Sequence, residues 1–413
     1  MTTSDSPRRR DPIGALRIPT YRVFIAGQLA AAMAIWIQRI AQDWTVLQLT
    51  GDAAVVGALV LFQFGPALFL GMWGGLVVDR NSARVILLVT QTTAAAVAAL
   101  LALLAFAGLL STGAIFAAVA VTGLLALVDL PARQVLVAEI AHPAVLPNAI
   151  SLNATISQLA QMIGPAVGGV LLVIGDRWAF LSAAALAAVD IVTLALVRTS
   201  SPRIPVGEGA GRGQIREALV YCIRNRSIRL TFAVLFVVSL IGINWPVLLT
   251  SVAERVFDTG ATGYGLYTSA LGVGALVGAL LSLARQGVRL RTVYSATVGF
   301  MGFKLLAAFA PSQWLFVALI AASAACNILM WTASNTMVQT SSSLAMRGRV
   351  MSLYIVIASG GQAFGGPILG LIVEQLGARW GMALSGGIPL VVTCAIAAAV
   401  LRSRKRCGPA TPG

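Results

Sequence analysis

The sequence predicts an all-α membrane protein, with twelve transmembrane helices in two pseudo-symmetric six-helix bundles. Three observations carry this expectation. Of 413 residues, 58% are hydrophobic and 10% charged, at a mean hydropathy of +0.88, whereas soluble domains are about 25% charged. A bilayer span takes about 20 mostly apolar residues, and twelve apolar runs stand between short Gly, Pro or Arg clusters. The two halves of the chain also share traces of a repeat.

In chain order the spans are expected at 21–47, 53–77, 85–108, 113–134, 148–174, 178–198, 230–253, 263–284, 292–310, 313–337, 350–373 and 379–401. The first contains Arg39 and Asp43 and is too long for the apolar core of a secretory signal, so it is expected to persist as span 1. Residues 1–20 read as an N-terminal tail, 21–198 as the first bundle, 199–229 as a linker, 230–401 as the second bundle and 402–413 as a C-terminal tail. The linker is Gly-, Pro- and Arg-rich at first and helical in pattern afterwards.

The net charge of +15, from 29 Lys+Arg against 14 Asp+Glu, would suggest a nucleic-acid partner in a soluble chain. Its distribution argues for a membrane instead. With residue 1 placed in the cytoplasm, 24 of the 29 cations fall inside, Arg177, Arg255 and Arg379 fall outside, and Arg39 and Lys304 lie within spans. The positive-inside rule then predicts cytoplasmic termini and accounts for the basic character without nucleic acid.

QDWTVL (42–47) is echoed by INWPVL (243–248) at an offset of 201, which pairs Asp43 with Asn244 and Trp44 with Trp245. Gly164-Pro165-x-x-Gly168 is echoed by Gly366-Pro367-x-x-Gly370 at an offset of 202. Parallel six-span repeats build one large transporter architecture.

Enzymatic chemistry is poorly supported. Lysine occurs only at 304 and 405, neither in a GxxxxGK[ST] pattern, so no P-loop is present. His142 is the single histidine, no GxSxG occurs, and Cys222, Cys326, Cys394 and Cys407 lack metal or disulfide spacing. No cofactor or metal is therefore expected. Transport driven by an ion gradient, or by the cargo's own gradient, remains.

GGLVVDRNSAR (74–84), between spans 2 and 3, carries Gly75, Asp79, Arg80 and Arg84. These residues resemble motif A of the major facilitator superfamily, with Ser82 in place of the usual glycine and Ala83 at the first basic position. IGPAVGG (163–169) resembles the Gly-Pro motif of superfamily antiporters. FIAGQ…QLTG (24–51), AERVFDTGATGYGLYTSALGVGALVGALL (253–281) and RGRVMSLY (347–354) resemble a bacterial branch that includes enterobactin-exporter-like and drug:proton antiporters. The resemblance covers about residues 20–401. It implies the major facilitator fold and a monomeric, multi-pass protein of the bacterial inner membrane. The expected cargo is a lipophilic small molecule, a drug or secondary metabolite, moved outward against protons with alternating access. A siderophore exporter of the same fold and a transport-inactive membrane sensor or assembly partner are the competing readings.

Gly75 permits close helix approach, and Asp79 at a helix end seeks a helix N-terminus or an Arg. The resemblance implies that Asp79 docks on the start of span 11 when the cytoplasmic side is closed. Arg347 and Arg349 stand there, so a latch of Asp79 with 347–350 is expected. It is expected to be one-sided, because no acid occurs between Asp258 and Glu374. Arg80 and Arg84 compete as mere topology determinants. Gly164, Pro165 and Gly168 in span 5, and Gly366, Pro367 and Gly370 in span 11, should bend their helices or pack tightly. The resemblance implies that the span 5 copy supports exchange across the half interface, while ordinary small-residue packing competes for the span 11 copy.

Charges inside a bilayer are costly unless paired or facing water. Arg39 and Asp43 share one face of span 1 at i, i+4, in the poorer order for a helical pair, which hints at further partners. Asp43 is the first candidate for proton or cationic-substrate coupling, tuned by Arg39 and facing Asn244. The competing reading is an interfacial salt bridge, since Asp43 lies only about 6 Å from the expected span end at 1.5 Å per residue. Asp129 and Arg133 form either a structural ion pair or a proton relay. Asp190 reads as a structural acid paired with Ser or Thr, and Lys304 is expected to snorkel outward. Cavity candidates are Gln38, Gln158, Trp245 and Asn335, within a wider set of amides that includes Gln28, Gln63, Gln161, Asn327 and Gln362. Trp36, Trp44, Trp245 and Trp331 offer stacking surfaces for an aromatic or cationic cargo, or serve as interfacial anchors.

Overall fold

A computed structural model of the chain describes residues 14–141, 145–197, 212–283, 290–343 and 346–406. After a 3-10 turn at Gly14–Arg17, the first half consists of α1 (Pro19–Thr50), α2 (Ala53–Arg80), α3 (Ala83–Phe106), α4 (Thr112–Ile140), α5 (Leu146–Ile174) and α6 (Asp176–Leu196). A linker helix α7 (Arg212–Arg224) leads to the second half. There the seventh span is split into α8 (Arg226–Val237), a π-helical turn at Val238–Gly242 and α9 (Trp245–Arg255). It is followed by α10 (Gly260–Leu283), α11 (Leu290–Ala308), α12 (Gln313–Ser341), α13 (Arg347–Leu376) and α14 (Ala378–Arg406). The described residues contain no strand. Twelve rods thus form two six-helix bundles; ten are long and apolar enough to cross a bilayer, and α2 contributes the shorter apolar stretch Ala53–Leu68. The start of α1 and the end of α14 share one face, here the terminal face; the opposite one is the distal face.

The rods are long because the turns between them are abrupt. Gly51 ends α1 in the left-handed region (φ 65°), and the Asp52 carboxylate accepts the Ala54 N–H at 2.7 Å to open α2. Ser111 and Ser312 cap α4 and α12 in the same way. Span 1 therefore runs to Thr50, three residues beyond its expected end.

Span 7 breaks where proline dictates. Pro246 has no N–H and cannot bond the carbonyl four residues back, which is that of Gly242. In hydrocarbon an unsatisfied carbonyl costs several kcal/mol. Lys304 fills the gap: its Nζ donates to the Gly242 carbonyl at 2.7 Å and lies 4.2 Å from the centre of the Trp245 ring. The lysine is 0% exposed, so it does not snorkel; the local carbonyl and ring are a better solvent than the distant interface.

The halves meet along two antiparallel pairs, α2 on α13 and α5 on α10. A Cβ on Gly366 would lie 2.6 Å from the Gly57 carbonyl, and one on Gly370 would lie 2.7 Å from Ala54 Cα. A Cβ on Gly265 would lie 2.6 Å from the Pro165 carbonyl, and one on Gly272 would lie 2.6 Å from Met162 Cα. These contacts run from the distal face to mid-height, where Leu68 touches Gly360. Gly164 and Gly168 instead let α5 lie on α1 beside Trp36 and Ile37. The span 11 glycines therefore carry the half interface, beyond ordinary packing within one bundle. Helix α7 is fixed to the second half: Asn225 Nδ2 donates to the Ser341 carbonyl at 2.9 Å, and Glu217 pairs with Arg349 at 2.7 Å.

Two tests follow from this architecture. K304M should destabilise the protein by about 1–3 kcal/mol through the orphaned carbonyl, and less in a P246A background where the helix regains its own donor; reversible detergent-denaturant unfolding measures both. G366V should cost about 1–3 kcal/mol of closure by overpacking, read as faster labelling of a cavity-lining N244C by a maleimide added from the distal side, in a chain otherwise free of cysteine.

Candidate functional site

Between the halves lies a cavity of about 220 Å³, walled by α1, α2 and α5 of the first half and by α9, α10, α12 and α13 with Ile243 and Asn244 of the second. Asp43 stands two turns before the end of α1, 7% exposed, and accepts the Tyr264 hydroxyl at 2.7 Å. Tyr264 belongs to α10, so this bond crosses from one half to the other. Trp44 covers it, its ring stacked 6.3 Å from that of Tyr264. The reading of Asp43 as an interfacial salt bridge fails on this burial and on its partner.

Arg39 turns to other neighbours. With the Gln63 amide oxygen facing it, Arg39 Nε donates at 2.8 Å and Nη2 at 2.6 Å. Its guanidinium lies 5.1 Å from the Trp36 ring centre and 5.9 Å from that of Phe64. Asn244, the repeat mate of Asp43, lines the same cavity; its Nδ2 donates to the Leu240 carbonyl at 3.3 Å, and its Oδ1 is buried without a partner. Asp43 and Asn244 therefore share the cavity, as expected.

Of the four cavity candidates, Trp245 lines the cavity. Gln38 is buried within the first bundle, Gln158 is half-buried on α5, and Asn335 accepts Gln339 Nε2 at 2.6 Å on α12; none of these three lines it. The amides that do are Gln63, Gln161, Asn244, Asn327 and Gln362. Trp331 packs against Tyr354, 5.7 Å between ring centres, away from the cavity lining.

Asp129 and Arg133 belong to a separate buried network near the terminal face. Arg133 Nε donates to Asp129 at 2.7 Å, Nη2 to Asp190 at 2.8 Å and Nη1 to Gln28 Oε1 at 2.6 Å. Thr90 and Gln91 each donate to the other Asp129 oxygen at 2.8 Å. Asp190 is thus bound chiefly by an arginine; Thr193 Oγ1 adds only a 3.5 Å contact. The network ties α1, α3, α4 and α6 together, with two carboxylates on one guanidinium.

The gating residues divide. Arg80 is exposed, while Arg84 caps α6, with Nε donating to the Leu194 carbonyl at 3.0 Å and Nη2 to that of Ala195 at 2.6 Å. Arg347 Nε donates to the Gln339 carbonyl at 3.2 Å, and Arg349 is held by Glu217. The side chains at Gly75 and Asp79 lie outside the described residues, as do Arg8, Arg9, Arg10, His142, Cys407 and residues 199–211. At the distal face, Glu374 in the last turn of α13 accepts the Ala53 N–H at 3.1 Å and Arg255 Nη2 at 2.9 Å, while Arg255 also reaches the Gly51 carbonyl. The second half thus docks an acid on the start of α2 at the face opposite the one where the Asp79 latch is expected.

Residues 11–407 match a family model described as transmembrane secretion effector. A curated relative, the staphyloferrin A transporter of Staphylococcus aureus, is 22% identical over 263 residues, which cover 63% of this chain and 66% of that protein. Solved structures share the fold. The nucleoside transporter NupG superposes with a TM-score of 0.70 at 16% identity, over 92% of this chain and 98% of that one. A bacterial homologue of the human lysosomal transporter Spinster, inward-facing and unoccupied, gives 0.72 at 14% identity over 92% and 96%.

R133M should lower stability by about 3–5 kcal/mol, because two buried carboxylates lose their shared cation. Adding D190N and D129N to R133M should restore most of it, measured by the same unfolding titration.

Proposed function

Because the chain belongs to the transmembrane secretion effector family of the major facilitator superfamily, we propose that it exports a small amphipathic molecule by proton antiport. It is a multi-pass membrane transporter and not an enzyme. The observation that carries the coupling reading is the hydrogen bond from Tyr264 to Asp43 across the half interface. An ionised Asp43 is the stronger acceptor and favours the distally closed arrangement. Its protonation weakens the bond and frees the halves to rock about the cavity.

The terminal face is the cytoplasmic one in this reading, since the described cations gather there, with Arg177, Arg255 and Arg379 opposite. The structure then corresponds to the arrangement closed toward the outside of a bacterial inner membrane. In the reverse arrangement Asp79 latches onto the start of α13, and residues 199–229 link two rocking bundles of one monomer. A wall of five amides with Arg39 and Asp43 suits an amphipathic cargo better than a purely lipophilic one. Siderophore export is the second reading, favoured by the name of the Staphylococcus aureus relative.

The cargo is to be identified as the compound that accumulates in a deletion strain, and transport of it measured in proteoliposomes with an imposed pH gradient. D43N should abolish gradient-driven accumulation while sparing counterflow. Y264F should weaken coupling about tenfold or more, about 1.5–3 kcal/mol for a hydrogen bond to a charged group. Loss of coupling in D129N with D43N unaffected overturns the assignment of the proton site, and a wild type inactive in every direction leaves a sensor or assembly partner as the reading.

A further inference from the structure

The interior charges near the cavity do not balance. Arg39 lines it, yet no carboxylate among the described residues lies within 4.0 Å of its guanidinium; its nearest polar partner is the neutral Gln63 amide, because Asp43 is bound by Tyr264. Across the cavity, Trp245 forms part of the wall, and Lys304 stands directly behind its ring with a neutral carbonyl as partner. The guanidinium of Arg39 thus meets no carboxylate of its own in a medium of low dielectric, where a unit of unmatched charge is felt strongly. The remaining polar wall points the same way. Asn244 Oδ1 and Asn327 Oδ1 are buried acceptors without partners, and both residues line the cavity.

We propose that this cavity binds an acidic amphiphile: an aromatic or otherwise flat small molecule that bears a carboxylate or similar oxyanion together with hydroxyl or amide donors. The inference rests on the reading of the cavity as the cargo site and specifies its chemical class. The oxyanion sits on the free edge of the Arg39 guanidinium, whose planar fork matches a carboxylate. The flat body lies among Trp36, Phe64 and Trp245. Its hydroxyl or N–H groups donate to the orphaned Asn244 and Asn327 oxygens, which otherwise carry the cost of unpaired burial. A lipophilic cation, by contrast, meets the guanidinium of Arg39 on the cavity wall, and the one acid there, Asp43, is already bound by Tyr264.

Isothermal titration of the full-length purified protein in detergent, without any gradient, tests this with three probes: 3-hydroxy-2-naphthoate, its neutral amide, and tetraphenylphosphonium. The wild type should bind the acid at least about tenfold more tightly than the amide, the scale of one charge-assisted hydrogen bond, and the cation most weakly. R39Q should reduce the acid-to-amide affinity ratio from at least about tenfold to about one. R39K should keep the preference at reduced acid affinity, having the charge without the fork. Tighter binding of the cation than of the acid, or equal binding of acid and amide, overturns the proposal on the wild type alone, whatever the folding of the variants. Because no gradient is involved, a failed transport assay with this ranking intact refutes export by proton antiport and spares the cavity chemistry, and the converse result does the opposite.

Discussion

A lipid bilayer offers no water to a freed backbone group, and the second half of this protein is arranged around one such group. Pro246 strands the Gly242 carbonyl, the chain opens into a π-helical turn, and Lys304 answers from a neighbouring helix. That single substitution of a side-chain donor for a backbone donor stands beside Asn244 and Trp245 on the cavity wall and leaves a buried lysine behind the tryptophan. A polar cavity wall and a helix break are here one event. The first half reaches the same place with α1 unbroken, since Asp43 meets its donor across the interface.

The same economy governs how the halves touch. Gly57 with Gly366, and Gly265 with Gly169 and Pro165, bring backbones into contact with no side chain between them. Such contacts are strong in dispersion yet smooth, so one surface can leave another without breaking a hydrogen-bond network. Specific polar links are few and sit at defined heights: Tyr264 with Asp43 at the cavity, and Glu374 with Ala53 and Arg255 at the distal face. The Arg133 network, by contrast, lies wholly within one bundle and ties four of its helices together.

Much of the fold was legible in the sequence because lipid imposes a length and a polarity that composition records directly. All twelve apolar runs are helices, and the repeat at offset 201 placed Asp43 and Asn244 on one cavity. What periodicity does not record is the partner. Asp190 appeared as a lone acid, since nothing local ties it to Arg133, 57 residues earlier. Tyr264 carries no charge to mark it, although it follows Gln63 by the same offset of 201 that joins Asp43 to Asn244. Applied to polar and aromatic residues alike, that offset would have placed Gln63 and Tyr264 together on the cavity. The amides were overcounted for a related reason: a buried amide faces whichever neighbour satisfies it, and Gln28 satisfies Arg133.

The distal clasp has a further consequence. Arg255 and Glu374 are each about one-third exposed, so dissolved ions reach them and screen their attraction over roughly 8–10 Å at ordinary salt. The hinge contacts of bare backbone feel no such screening. Raising the ionic strength at that face therefore weakens the attraction of Arg255 for Glu374 and leaves the glycine contacts unchanged, so salt acts on one set of inter-half contacts and not on the other.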